Sequence, residues 1–223
     1  MAVADASTLA PLLQKRNPLA FSLPDPAAFG EPLPLKARPE VLDFLATRRS
    51  ATALTLTAPA PSEADVESLL RLAVRVPDHG KLAPWRLIIL DAAAKTEFAA
   101  RLQALAEARG DVKQVAKLGK LKAPPMGVAV VSRPRPGDIP EWEQLMSAAV
   151  VCANLLYGAT AMGYGANWIT DWYAYDPDAL KILGLEPGER VAGFIFMGTA
   201  KETPLERDRP VVSAQVTRWS PPA

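Results

Sequence analysis

Apolar residues recur at helical spacing in five stretches of this chain and fill short unbroken runs in four others. "RPEVLDFLATRRS" sets Val41, Leu42, Phe44 and Leu45 on one helix face, with Pro39 in the first turn. "APAPSEADVESLLRLAVRVP" has Ser62 three residues before Asp65, the spacing of a capping box. Its face is Val66, Leu69, Leu70 and Ala73, and Pro77 is expected to stop it. "AAAKTEFAARLQALAEARG" predicts a helix ending at Gly110, and "DPDALKILG" a short one after Asp176. A long helix is predicted from Glu141 to about Met162, stopped by Gly163. The runs "WRLIIL", "PMGVAVVS", "YGANWI" and "RVAGFIFMGTA" read as strands. Strict strand–helix alternation is missing, since two helices precede the first strong strand. That order favours an α+β fold over a doubly wound sheet.

Two regions stand apart. Residues 1–37 carry prolines at 11, 18, 24, 26, 32 and 34 and no regular apolar period, so they read as an arm on a domain spanning 38–223. From Ser147 to Ile169 there is no charged residue, a length that would cross a bilayer. Asn154, Tyr157, Tyr164, Asn167 and three glycines argue instead for a buried central helix followed by a turn and strand, with no membrane span.

Composition removes several chemistries. The formal charge is +1, which gives no global field for nucleic acid. One cysteine and one histidine exclude an internal disulfide, a cysteine zinc cluster and a multi-histidine metal site. The lone Cys152 lies in "AVVCANLL" and reads as a buried, inert thiol. A single cysteine fits a reducing compartment, and no basic-then-apolar leader is seen, so a cytoplasmic protein is expected. "GYGANW" fails the dinucleotide fingerprint because position six is Trp168 and a helix precedes it.

Three stretches keep a chemical reading. "TRRS" brings Arg48, Arg49 and a hydroxyl together, a set suited to a phosphate and sugar, although cations at a helix end also offset its dipole. "RVPDHGKLAPWR" gathers Arg75, Asp78, His79, Lys81, Trp85 and Arg86 in a loop between ordered elements, where ligand contacts concentrate. "YGANWITDW" joins small residues, which let a ligand approach backbone, to Trp168 and Trp172. A fourth group, Lys113, Lys117, Lys120 and Lys122, reads as a solvated helix face, with attraction of a phosphorylated reductant as the alternative.

In their order and spacing these stretches resemble one family. "TRRSATALTLTAPAPSEADVESLLRLAVRVPDHGKLAPWRLIIL" is similar to the N-terminal half of the flavin-dependent nitroreductase superfamily, above all its compact bacterial subgroup. "WEQLMSAAVVCANLLYGATAMGYGANWIT" resembles that family's central helix and Gly-rich segment, and "VAGFIFMGTA" its last core strand. The resemblance runs from about Pro39 to about Pro210. It implies an α+β fold with a mixed, mainly antiparallel sheet flanked by helices, and a homodimer with FMN at the subunit interface. By position, Arg48, Arg49 and Ser50 would hold the FMN phosphate and ribityl chain. Arg75 and His79 would reach the flavin from the other subunit, and Trp168, Ile169 and Thr170 would contact it from the Gly-rich segment. Arg207 and Arg209 stand where further phosphate-binding cations are often found. The subgroup often has a basic residue where this chain has Ile169, and its compact members have no counterpart of residues 1–37.

The activity so implied is transfer of hydride from NAD(P)H through the flavin to a nitroaromatic, a quinone or a similar electron-poor small molecule, by ping-pong kinetics. It suits a chain poor in catalytic side chains, because the cofactor carries the chemistry. No side chain is assigned as a catalytic acid or base. Two alternatives are oxygen-dependent fragmentation of the flavin, found in a sister branch, and a flavin-binding module without turnover.

Overall fold

A computed structural model of the chain describes residues 23–222. Residues 1–22 of the arm lie outside the described residues. Residues 23–37 are irregular, apart from a turn in which the Glu31 N–H donates to Ala28 O with Gly30 at φ +87°.

Among the described residues seven α-helices and five strands follow, numbered in chain order. They are α1 (Pro39–Thr47), β1 (Leu56–Thr57), α2 (Glu63–Ala73), β2 (Trp85–Leu90), α3 (Ala92–Ala108), α4 (Val112–Lys117), α5 (Gly119–Lys122), β3 (Met126–Ser132), α6 (Glu141–Ala161), β4 (Gly165–Ile169), α7 (Pro177–Leu183) and β5 (Arg190–Ala200). The longest strand, β5, is the spine of the sheet. It pairs with β3 on one side and β4 on the other, while β2 extends the sheet beyond β3. Strand β1 adds a two-residue bridge at the far end of β5, Leu56 against Ala200 and Thr57 against Thr199. Every pairing among the described residues is antiparallel.

Both faces of the sheet are covered, which explains why β3 and β5 read as unbroken apolar runs. Side chains alternate across a strand. Val128, Val130, Ile195 and Met197 therefore turn to α2 and α6, where they join Leu69, Val151, Cys152 and Leu155. Ala129, Phe194 and Phe196 turn to α3 and α7, with Phe98, Leu102 and Tyr173. Gly127 has to lack a side chain, because a Cβ there would stand 2.6 Å from the Phe196 ring.

The capping box is present: Ser62 Oγ accepts from Asp65 N–H at 3.2 Å and Asp65 Oδ2 accepts from Ser62 N–H at 3.3 Å. The helix stops four residues before Pro77, at Ala73. Asn154 of α6 donates to Leu72 O at 3.3 Å and to Arg75 O at 3.0 Å. A tertiary partner therefore satisfies carbonyls that further helix would have used. Arg75 sits two residues past the end of the helix.

Helix α6 is long and apolar enough to cross a membrane by length and composition, yet half of that apolar stretch is buried against α2 and the sheet. The remainder exposes a stripe of Trp142, Met146 and Val150, each one turn from the next. Helix α1 buries none of its residues, and Val41, Leu42 and Leu45 all face outward.

Candidate functional site

The segment after α1 is sewn to β4. Ala51 N–H donates to Ala166 O at 3.0 Å, and the Asn167 amide donates to Ala51 O. Upstream of β4, Tyr164 Oη donates to Asp65 Oδ2 at 2.7 Å and ties the strand to the start of α2. Burial, followed by the neighbouring Asp65 carboxylate, pushes the Tyr164 hydroxyl up to about 12. Two stretches more than a hundred residues apart, "TRRS" and "NWIT", are thereby held side by side.

A cleft of about 410 Å³ opens there, lined by Thr52, Ala53, Lys120 and residues 167–171. Its volume is in the range of small-molecule sites. Ile169 and Thr170 line it. So does Trp168, but its indole lies flat across β5: Nε1 donates to Ala192 O at 3.3 Å, and a Cβ at Gly193 would collide with the ring. Gly165 is required at the other end of β4, where a Cβ would meet Leu56 Cδ2 at 2.6 Å.

Beside this segment lies a cluster of cations. The Arg48 guanidinium stands over the Tyr157 ring of α6, 5.0 Å from its centroid, and Nη2 donates to Ser50 Oγ at 3.0 Å. Its Nε is buried and has no hydrogen-bond partner. Arg49 Nε donates to Leu205 O at 2.8 Å and lies 3.7 Å from the Glu206 carboxylate. Arg209 donates to the same Glu206 oxygen at 2.9 Å, so Arg49 and Arg209 share one anion. The Arg207 N–H, followed by Arg209 and Arg49, holds the Glu206 carboxyl below its ordinary range. The structure therefore gathers Arg48, Arg49, Ser50 and Arg209. Arg207 joins through its backbone, and its side chain has no ion-pair partner among the described residues.

The loop from Arg75 to Arg86 sorts into structural and uncommitted groups. Asp78 Oδ2 accepts from Ala83 N–H at 2.8 Å and holds a turn in which Gly80, Lys81 and Ala83 all have positive φ. Trp85 Nε1 donates to Ser147 Oγ at 3.2 Å, and that hydroxyl donates to Pro77 O at 2.8 Å. Arg86 makes a two-pronged contact with buried Glu189, at 2.8 and 2.7 Å, and a third bond to Gly184 O. Those three residues are spent on the fold. Arg75 and His79 remain exposed, with His79 Nδ1 2.7 Å from Glu143 Oε2.

One chain does not bring His79 to the Arg48 cluster. Their contacts on α6, Glu143 and Tyr157, are 14 positions apart, about 20 Å along the axis at 1.5 Å per residue. Sequence reasoning missed Thr52, Asn167, Tyr157 and Glu206. It read Lys120 as solvated; Lys120 is exposed, but it forms part of the cleft wall.

Known proteins resemble this chain in sequence and fold. Residues 45–199 match the nitroreductase family. A protein of Escherichia coli (strain K12) named "Putative NAD(P)H nitroreductase YdjA" is 29% identical over 163 residues, covering 72% of this chain and 88% of its own. A Haemophilus influenzae protein named "Putative NAD(P)H nitroreductase" is 29% identical over 184 residues, 79% of this chain and 96% of its own. The nitroreductase-like protein of Bacillus cereus shares the fold at a TM-score of 0.72 and 19% identity, over 82% of this chain and 98% of its own. A nitroreductase of Bacteroides fragilis, solved with bound FMN, does so at 0.62 and 22% identity, over 81% of this chain and 99% of its own. The match takes in α2, the central helix and all five strands, and it begins just before the "TRRS" cluster, so the chain belongs to the nitroreductase family.

Proposed function

We propose that this chain is an FMN-dependent oxidoreductase that uses NAD(P)H to reduce an electron-poor small molecule, such as a nitroaromatic or a quinone. The observation that carries the reading is the buried, unpartnered Arg48 Nε within a cluster of arginines beside a cleft of ligand size. A buried donor without a partner costs stability, typically about 1–3 kcal/mol, and an arriving acceptor relieves that cost.

The residues present fit FMN. Arg48, Arg49 and Arg209 supply charge-assisted donors for a phosphate and Ser50 a hydroxyl, while Glu206 marks a place where this cluster already accepts an anion. The Trp168–Thr170 segment gives the cleft a wall in which backbone is close to the surface. FMN, when bound, supplies the redox chemistry, accepting hydride from a nicotinamide and passing it to the acceptor. The chain's own part is to position and polarise. Stacking on Tyr157 fixes the Arg48 guanidinium, and the two hydrogen bonds between residues 51 and 166–167 fix the cleft wall. Glu143 orients the His79 ring through Nδ1, leaving Nε2 without an intramolecular bond among the described residues and available to exchange a proton.

A homodimer completes this reading. The separation of about 20 Å along α6 keeps His79 from the Arg48 cluster of its own chain, so a second copy would have to present it. The exposed stripe of Trp142, Met146 and Val150 suits such a contact. Absorbance spectra taken under nitrogen before and after NADPH or NADH test the proposal. Visible flavin bands that bleach on addition and return intact with an acceptor are expected. Bands that never bleach, or that vanish for good on exposure to oxygen, would overturn it.

A further inference from the structure

The lysines of α4 and α5 divide into two sets. Lys95, arriving from α3, is buried and donates to Leu121 O at 3.2 Å and Lys122 O at 2.9 Å, closing the end of α5. Lys122 donates to Gln103. Both serve packing. Lys113, Lys117 and Lys120 are exposed and have no carboxylate within ion-pair distance among the described residues.

Their placement is fixed from behind. Leu118 and Leu121 are fully buried, Gln114 O accepts from Trp172 Nε1 at 3.2 Å, and Gly119 packs on Leu54. Leu118 has helical backbone angles, so the run from 112 to 122 is nearly one helix. Positions 113, 117 and 120 then share a face about 60° wide, roughly a quarter turn from the buried leucines, over about 10 Å of axis. The last of them lines the cleft beside Trp168, Ile169 and Thr170. Asp111 caps the Gln114 N–H, and Asp171, itself in the cleft wall, caps the Trp172 N–H; neither carboxylate lies within ion-pair distance of these lysines among the described residues.

We infer that Lys113, Lys117 and Lys120 form a phosphate-binding track for the nicotinamide dinucleotide, leading to the cleft and favouring the form that carries the additional 2′-phosphate. The inference rests on the flavin reading for the identity of the cleft. The same phosphate chemistry belongs to FMN, but the Arg48–Arg49–Arg209 cluster already supplies cations for that group. A track of exposed, uncompensated lysines suits a ligand that must bind and leave in every cycle, since each such contact is individually weak.

The test is calorimetric titration of the purified full-length protein with adenosine 2′,5′-bisphosphate and with AMP, alongside the dissociation constant for FMN. Wild type and Lys113→Gln/Lys117→Gln, which leaves the cleft wall intact, are compared at low and high salt. The bisphosphate should bind wild type more tightly than AMP, with affinity falling as salt rises. The double variant should lose about tenfold in bisphosphate affinity and keep its FMN affinity. Equal binding of the two nucleotides by wild type, an unchanged variant, or a variant that loses FMN affinity instead would each overturn the proposal. If the variant does not fold, the salt dependence and nucleotide preference of wild type still decide. The fragments need no flavin, so a protein that takes up no FMN would refute the earlier reading without obscuring this result.

Discussion

Two arginine groups in this molecule look alike in sequence and differ in what they leave undone. Arg86 leaves no buried donor unpaired among the described residues: Nε and Nη2 bond a buried Glu189 carboxylate, and Nη2 also bonds Gly184 O. Arg48 stacks on Tyr157, spends one nitrogen on Ser50, and keeps a buried Nε with no partner. The first arrangement is complete without a ligand. The second is not. Residual donor capacity, rather than the density of charge, separates arginines that hold a fold together from arginines that wait for an anion.

The sharpest break of that contrast is Arg86→Ala. It leaves the buried Glu189 carboxylate with only Arg133 at 3.6 Å and the Glu186 N–H, and should cost about 3 kcal/mol of stability in denaturant titration. The folded fraction should bind FMN as wild type does.

A smaller effect is expected at the cleft wall. Gly193→Ala forces the Trp168 indole off β5 and should cost about 1–3 kcal/mol, a penalty that shrinks when Trp168→Ala is made first. A double-mutant cycle in urea checks it.

Acid titration sharpens the comparison further. The Arg86 hydrogen bonds hold Glu189 below its ordinary value of 4.5. A depressed carboxylate contributes stability that is complete above that value and is lost as pH falls through the lower folded one. The stability gap between wild type and Arg86→Ala should therefore be widest near neutrality and narrow as pH drops below 4.5, as followed by thermal melts. The smallest change concerns the core behind the site. Burial pushes the Cys152 thiol up to about 12, so iodoacetamide should label it at least about 100-fold more slowly in native than in unfolded protein.

Much of the fold was legible because its signals are local. The capping box, the Asp176 cap of α7 and the strands of the sheet each follow from residues within a few positions of one another. What the sequence could not disclose lies in long-range pairing. The partner that commits Arg86 to the fold is 103 residues away. The carbonyls of Leu72 and Arg75, at and beyond the end of α2, find their partner in Asn154, about eighty residues downstream. Lys120 becomes part of the cleft only because α5 packs on the segment after "TRRS". The candidate site was legible as three stretches, but which members of each remain available depends on tertiary partners. Of the six polar or aromatic residues in the His79 loop, Asp78, Trp85 and Arg86 are committed to the fold.

The central claim is that Arg48 and Arg49 form an anion site for FMN while Arg86 does not. The direct measurement is an FMN titration, followed by quenching of flavin fluorescence, of wild type, Arg48→Ala/Arg49→Ala and Arg86→Ala under conditions where all three are folded. The account predicts a loss of at least about 100-fold in affinity for the double variant, the size expected for two lost charge-assisted contacts, and none for Arg86→Ala. Wild-type affinity in the double variant would contradict it.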